Sequence, residues 1–415
     1  MTTTRKHVRA GALAATVALA GVIAACGKDS VDIVAAPKAV DPIFQSYVAL
    51  GNSITAGYQS GGINDSTQRQ SYARLLALQM GTRYAYASLA GPGCPPPIND
   101  FLLQTRVGGG GNTTCFLRNP ASATRILNNV AVPGATALDP TSSTTTASNI
   151  LTQLVLGGKT QVQKALEAQP TFVSVWIGNN DVLDAAAKGV VPATGAPLST
   201  PGVTDTTTFK TRYKAVIDGL KTQPNVKGVL IGVVNVTQIP LLFPAESLLS
   251  VPTLKAQFDA ASGGTVTVDT TCTGSGKGSL VSSAILGPMR AGTLPRLIVC
   301  KKNTPAPPVG DWFILDPAEL AIFNAVITSY NNYISAQATA AGFAYVDPNP
   351  LLAALKAPAS GLIPPYPNFA SATAPYGTYF TLDGVHPSKL AHEAIARALI
   401  PAINAKYSTT IPNLP

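Results

Sequence analysis

The chain has 415 residues, is 46% hydrophobic and only 12% charged, and carries a net charge of +9. That composition excludes wholesale disorder and leaves ample apolar material for one large domain or two ordinary ones. The 36 Gly and 34 Pro imply many turns, while scattered cations without aromatic-interleaved basic stripes exclude nucleic acid as the expected partner.

Residues 1–25 read as a leader. Arg5, Lys6 and Arg9 precede an uncharged run from Ala10 to Ala25, and the segment closes on Ile23-Ala24-Ala25-Cys26-Gly27. The run is shorter than the roughly 20 apolar residues a spanning helix needs, so it reads as a signal peptide. An aliphatic residue, two small ones and then Cys resembles the lipobox of bacterial lipoproteins. That resemblance implies a lipid on Cys26, a membrane tether and a place in the bacterial cell envelope, on the outer membrane if the host is diderm. An ordinary secretory signal is the competing reading. Without the leader's three cations the charge falls from +9 to +6.

Removing Cys26 leaves Cys94, Cys115, Cys272 and Cys300. Local pairing, Cys94–Cys115 and Cys272–Cys300, closes two loops in Gly/Pro/Thr-rich sequence, each worth about 3 kcal/mol in the chain-entropy model. Free buried thiols are the alternative.

Residues 26–45 read as a tether and 46–410 as the folded domain. Tyr47–Leu50 is a short strand with Ser53 just beyond its end. Helical spacing covers Ser71–Met80, and Arg83–Leu89 and Asn128–Val132 read as strands. Helices follow at Ile150–Leu156 and Val162–Leu166. Phe172–Ile177 and Val229–Val236 are continuous apolar runs, the pattern of strands buried on both faces, with a helix at Phe209–Lys221 between them. The segment from about 240 to 317 breaks the alternation and reads as a cap-like insertion with helices of its own. Pro317–Ala341 is the longest helical pattern, Phe343–Val346 a last strand, and His392–Tyr407 a closing helix interrupted near Pro401. This alternation predicts an α/β fold with a parallel sheet covered on both faces, whose ligands bind at the strands' carboxyl ends.

Ser53, Gly134 and Asn180 fall at such ends. Of three histidines, His7 lies in the leader and His392 on the closing helix, where it reads as solvated or packing. His386 sits in a Gly/Pro turn three residues after Asp383, so one turn can set the carboxylate against one ring nitrogen and leave the other for Ser53. A serine hydroxyl needs such a base to act as a nucleophile near pH 7. Donors for the developing oxyanion are the N–H groups of Ser53 and Gly134 and the side-chain amide of Asn180. Taken alone, Gly134 reads as a turn glycine and Asn180 equally as an Asx-turn residue.

Four blocks in order, Gly51-Asn52-Ser53, Val132-Pro133-Gly134-Ala135, Gly178-Asn179-Asn180-Asp181 and Asp383-Gly384-Val385-His386, resemble those of the SGNH hydrolases, or GDSL esterase/lipase family. The resemblance implies a flavodoxin-like three-layer α/β/α domain. It casts Ser53 as nucleophile, Asp383 and His386 as the base pair, and Gly134 and Asn180 as oxyanion donors, with no metal and no organic cofactor. One departure stands out: Asn52 replaces the family's usual Asp, which puts that side chain's role in the loop in question. An α/β-hydrolase fits poorly, because position 55 is Thr where the nucleophile elbow wants Gly.

The expected activity is that of a serine carboxylesterase or lipase-like enzyme acting through an acyl-enzyme, as a monomer on small-molecule or lipid esters. Leu241-Leu242-Phe243, Leu248-Leu249 and Ile285-Leu286 of the insertion are candidates to line an acyl site, or to form the insertion's own core. A carbohydrate O-acetyl esterase is the alternative, although Trp176 and Trp312 are few platforms for a glycan. A non-catalytic binding lipoprotein is the third reading.

Overall fold

The computed structural model describes residues 38–415, apart from 112–114, 116–117, 120–121, 123–124, 143–150, 191–202 and 301–312. The leader, Cys26 and Trp312 lie outside the described residues. Contacts divide the chain into Met1–Ala35 and Ala36–Pro415, and the architecture below is that of the second unit.

Four parallel strands form the centre: β1 (Tyr47–Gly51), β2 (Phe172–Trp176), β3 (Lys227–Ile231) and β4 (Ala344–Val346), in spatial order β1-β2-β3-β4. Tyr47 pairs with Phe172, Phe172 with Lys227 and Ala344 with Val229, so the strands are nearly level. Residues 128–132, expected as a strand, lie along the free side of β1 as a single parallel bridge. Side chains take the bonds a longer ladder would use: Gly51 N donates to Gln161 Oε1 at 2.9 Å, and Asn128 donates its side-chain amide to the carbonyl of Tyr47 at 2.8 Å. Arg83–Leu89 likewise forms isolated bridges and no strand, its Tyr86 opposite Asn129. Counting residues 128–132 alone as strand two gives the flavodoxin-like order 2-1-3-4-5.

Side chains alternate across such a sheet, and both faces are apolar. Val48, Leu50, Val173, Val175 and Leu230 pack into one core with the helices α4 (Thr206–Lys221) and α5 (Pro317–Ala341). Tyr47, Ala49, Phe172, Trp176 and Ile231 pack into the other with α2 (Tyr72–Met80) and α7 (Lys389–Tyr407). The long helix α5 obeys its sequence pattern closely. Asp316 caps it by accepting from Glu319 N while Glu319 returns the bond, Pro317 occupies the first turn, and Gly342 ends it at φ +71°. Such a cap contributes about 1 kcal/mol; packing of Phe323, Val326, Ile327, Tyr330 and Ile334 does the rest.

Three expectations need correction. Residues 38–45, assigned to a tether, are part of the domain: Pro42–Phe44 is a short 3-10 helix with Phe44 fully buried, and Val40 N donates to Met80 O at 3.0 Å. At the other end Ile411 is buried too, so the domain continues past 410. Helix α7 is not interrupted at Pro401, which sits inside it. One missing N–H costs a single ladder bond there, and Leu399, Ile400 and Ile403 hold the helix to the sheet.

The insertion folds as a subunit of the domain. Leu242–Pro244, Leu280–Ser282 and Ile314–Leu315 form a small antiparallel sheet beside the helices Ser247–Ser250 and Pro252–Ser262. Phe243, Leu248, Phe258, Ile285 and Met289 make a separate core, with Cys272 and Cys300 disulfide-bonded within it. Leu242 and Leu315 face the main core, which joins the two. Among the described residues no helix is long and apolar enough to cross a membrane.

Candidate active site

β1 runs straight into the first half of the site. A side chain at Gly51 would come within 2.5 Å of Trp176 O, so the backbone there passes too close to β2 for any other residue. Asn52 then caps the short helix α1 (Ser53–Ala56), its Oδ1 accepting from Ile54 N at 3.1 Å. An Asp would offer that same oxygen, so the substitution preserves the loop. Ser53 becomes the first residue of the helix, where N–H groups have no intrahelical partner, and Gly57 at φ +87° ends it.

The second half comes from the Thr381–His386 turn. Thr381 N bonds His386 O at 2.9 Å and Gly384 N bonds Thr381 O at 3.0 Å. Gly384 has φ +68° and abuts the Tyr376 ring, which leaves no room for a side chain. The turn delivers His386 with Nε2 at 2.9 Å from Ser53 Oγ and Nδ1 at 2.8 Å from Asp383 Oδ2. Asp383 accepts four further bonds. Oδ1 takes the N–H groups of Val385 (3.0 Å) and His386 (2.9 Å) and the Thr381 hydroxyl (3.1 Å), and Oδ2 takes Gly61 N (2.7 Å). Burial alone would raise its pKa; the charge and hydrogen bond of His386 and the N–H bonds outweigh burial and hold the carboxyl well below the usual carboxylate range. An ionised carboxylate only accepts, so His386 carries its proton on Nδ1 and Nε2 is free to accept from Ser53.

The third part lies at the end of β2. Gly178 turns the chain at φ +117° against the Phe209 ring, and Asn180 opens helix α3 (Asn180–Lys188). One N–H of the Asn180 side chain donates to Ala135 O at 2.9 Å. Its second N–H remains for a ligand. The same bond ties Asn180 to the loop carrying Gly134, which is solvent-exposed at φ +79°. Asp181, the last residue of the Gly178-Asn179-Asn180-Asp181 block and one to which the motif alone assigns no role, completes the tie: its Oδ2 accepts from Ala137 N at 2.8 Å. Burial pushes the Asp181 pKa up to about 6, with Asp139 adding to the shift and the Thr204 hydrogen bond, Ala137 N–H and Arg212 opposing it.

Ser53, Asn180 and His386 open onto a narrow cavity of about 80 Å³. Its walls are apolar: Leu183 of α3, Val236 and Ile239 after β3, Phe380, and Leu351 and Leu355 of the helix α6 (Asn349–Lys356). The insertion's Leu241, Leu242, Phe243, Leu248, Ile285 and Leu286 do not line it; they are buried in the cores, and Leu249 faces solvent. Phe243, Leu248, Ile285 and Leu286 take the second alternative and form the insertion's own core, whereas Leu242 joins the main one. Trp176 lines the cavity wall and is almost wholly buried.

His392 is not solvated. It is fully buried, its Nδ1 accepts Tyr72 N at 3.2 Å, and burial, with His386 nearby, pushes its pKa down to about 3. It stays neutral and serves α2. Cys94 and Cys115 are disulfide-bonded beside the Ser53 loop, as are Cys272 and Cys300 in the insertion. Among the described residues no three His, Cys, Asp or Glu side chains cluster closely enough to hold a metal ion.

A family model described as GDSL-like Lipase/Acylhydrolase matches residues 47–399. A solved catalytic mutant of an acetylxylan esterase from Geobacillus stearothermophilus is similar at 13% identity, over 86% of this chain and 93% of that one, with a TM-score of 0.37. An extracellular lipase from Streptomyces rimosus is similar at 15% identity, over 87% of this chain and 98% of that one, with a TM-score of 0.35. No curated protein matches.

Proposed function

The chain belongs to the GDSL-like lipase/acylhydrolase family and is an ester-bond hydrolase, and on that premise we propose that it cleaves esters of apolar acyl groups through Ser53, His386 and Asp383. The observation that carries the proposal is the continuous run from Ser53 Oγ to His386 Nε2 (2.9 Å) and from His386 Nδ1 to Asp383 Oδ2 (2.8 Å).

The chemistry follows from that run. As Ser53 Oγ attacks the ester carbonyl, His386 Nε2 takes its proton, and Asp383 stabilises the imidazolium as it forms. The carbonyl oxygen, now negative, is met by the N–H groups of Ser53 and Gly134 and the free N–H of Asn180. Each such donor is typically worth about 10²–10³ in kcat. His386 returns the proton to the departing alkoxide, which leaves an acyl-enzyme on Ser53. Water then repeats the sequence in reverse, with His386 as its base. The apolar cavity beside Ser53 supports an acyl chain longer than acetyl, since its walls offer few polar partners for a sugar.

The deciding experiment is a panel of p-nitrophenyl acetate, butyrate, octanoate and decanoate, run on the parent, Ser53→Ala and His386→Ala. Turnover rising from acetate to a longer ester, and falling at least about a thousandfold in kcat in both variants, is the expected result. Undiminished hydrolysis by Ser53→Ala would end the proposal. A preference for acetate and acetylated sugars would replace the acyl-chain reading with a carbohydrate O-acetyl esterase. The proposal extends to attachment in the bacterial envelope through a lipid on Cys26, supported by the leader's cations, apolar run and small residues. A Cys26→Ser variant that still incorporated labelled fatty acid would remove that part.

A further inference from the structure

Asp383 is gripped by a part of the chain more than three hundred residues away in sequence. Gln59 and Gly62 close a tight two-residue turn, with Gln59 N to Gly62 O at 2.8 Å and Gly62 N to Gln59 O at 3.0 Å. The turn residues Ser60 and Gly61 both have positive φ, +52° and +64°, the geometry of a hairpin turn of the primed type. Both tip amides end on the catalytic turn: Ser60 N donates to Thr381 Oγ1 at 2.9 Å and Gly61 N to Asp383 Oδ2 at 2.7 Å. The Thr381 hydroxyl in turn donates to Asp383 Oδ1. The residue before the turn, Tyr58, lays its ring against His386 with centroids 4.8 Å apart. One small turn therefore touches both members of the base pair.

A turn this small is only as rigid as what backs it. Its backing is the loop closed by Cys94 and Cys115. Ile63 N donates to Pro95 O at 2.9 Å, Cys94 N to Ile63 O at 2.8 Å, and Ile98 N to Ser60 O at 2.8 Å. Across the junction reaches Arg106, from the short strand Thr105–Arg106. Its Nη1 donates to Gly61 O at 2.9 Å and to Pro96 O at 2.6 Å. That guanidinium thus holds the peptide unit next to the very N–H that binds the carboxylate, and clamps it to the proline run behind.

We propose that Arg106 is a positioning residue for the reaction: through the Gln59–Gly62 turn it fixes Asp383, and with it the orientation of His386 towards Ser53. The proposal rests on the Ser53–His386–Asp383 reading above. It assigns the Cys94–Cys115 loop a task, that of a brace for the base pair, distinct from stabilising the fold at large. Loss of the brace lets Asp383 Oδ2 drift from His386 Nδ1, and a misplacement of about 1 Å near reacting groups costs on the order of a hundredfold in rate.

The test uses purified full-length protein and p-nitrophenyl butyrate, with melting curves for every variant. Arg106→Ala is expected to lower kcat by about ten- to a hundredfold with KM within about twofold of the parent, since Arg106 lies behind the turn and not among the cavity walls. Arg106→Lys, which keeps a cation able to reach the two carbonyls, is expected to recover most of that kcat. Thr381→Val, which deletes the hydroxyl joining Ser60 N to the carboxylate without changing shape, supplies an independent reading and is expected to lower kcat several-fold. A folded Arg106→Ala with kcat within about twofold of the parent would overturn the proposal, and so would a loss confined to KM. Should Arg106→Ala not fold, an unchanged kcat in Thr381→Val would overturn it alone. Ser53→Ala, run alongside, separates the two layers: if it still turns over substrate, the triad reading fails, whereas an inert Ser53→Ala beside a fully active Arg106→Ala sinks only the brace.

Discussion

Replacing Asp383 by Asn keeps the side chain's shape and removes its charge, and the structure dictates which way the new amide must turn. Oδ1 receives three donors, from Val385 N, His386 N and the Thr381 hydroxyl, whereas Oδ2 receives two, from His386 Nδ1 and Gly61 N. The amide oxygen therefore stays on the three-donor side and the NH2 group faces His386 Nδ1. A donor there forces the imidazole into the tautomer with Nδ1 bare and the proton on Nε2, pointing at Ser53 Oγ. The base is then present, in place and unable to accept. A carboxylate-to-amide change of this kind costs about 10⁴ in kcat where the same tautomer trap operates. Stability falls much less: Gly61 N loses its acceptor, a buried unsatisfied donor worth about 1–3 kcal/mol. The assay is kcat and KM on p-nitrophenyl butyrate at pH 7.5, with a urea melt of parent and variant. Folded Asp383→Asn that kept a tenth of the parental kcat would refute the tautomer argument.

Further expectations concern pH and chain length. Asp181 has its folded pKa raised from 3.8 to about 6, so its contribution to stability is full below pH 3.8 and is lost as pH rises through 6. Holding the ionised carboxylate at pH 7.5 costs about 3 kcal/mol, and Asp181→Asn should gain in denaturation midpoint over the parent between pH 4 and 7.5; a constant gap would contradict this. His392 behaves in the opposite sense. Its folded pKa is lowered from 6.5 to about 3, so stability is full above pH 6.5 and declines as pH falls, by about 2 kcal/mol at pH 5. His392→Gln should therefore flatten the acid side of the pH–stability curve, and an unchanged slope between pH 7 and 5 would count against it. Leu355→Trp sets a bulkier ring into a cavity of about 80 Å³. It should cut kcat/KM for octanoate tenfold or more, within the range that one or two misfitted methylenes produce, while acetate changes little. Equal loss on both esters would mean the acyl chain lies elsewhere.

Much of the framework was legible because it is local. The apolar runs of β2 and β3 and the three-and-four spacing of α5 declare themselves within a few residues. So does the Asp383–His386 turn, whose geometry is set by Gly384 and Pro387. What escaped is what the chain assembles from far apart. Gly61 and Arg106 carry no motif, and only the folded turn brings Gly61 N within 2.7 Å of Asp383. The conspicuous leucines of the insertion suit a cavity wall or a core equally well in sequence, and packing takes them: Leu248 and Leu286 into the insertion's core, Leu242 into the main one. Leu351 and Leu355 on the short α6 gave no comparable signal. His392 left two readings open, solvated or packing, because an amphipathic helix with Glu393 beside it allows a wet face. Yet α7 is covered by α2 on that side, and the ring repays its burial by capping Tyr72 N. Residues 128–132 show the limit of reading strands from apolar runs, since two side chains, the Asn128 amide on Tyr47 O and the Gln161 oxygen on Gly51 N, take bonds that a ladder would use.

The packing of Lys38–Val40 against the end of α2 has a directional consequence. Tyr72, at the start of that helix, bonds Thr55 in the Ser53–Ala56 helix, with hydroxyls 2.9 Å apart. Met80, at its finish, takes the hydrogen bond of Val40 N, and the eight steps of helix between them separate the two levels by about 12 Å. Helix α2 thus runs from the level of Thr55 to the level of Val40, so a perturbation at the Val40–Met80 bond acts along its axis towards the Ser53 helix.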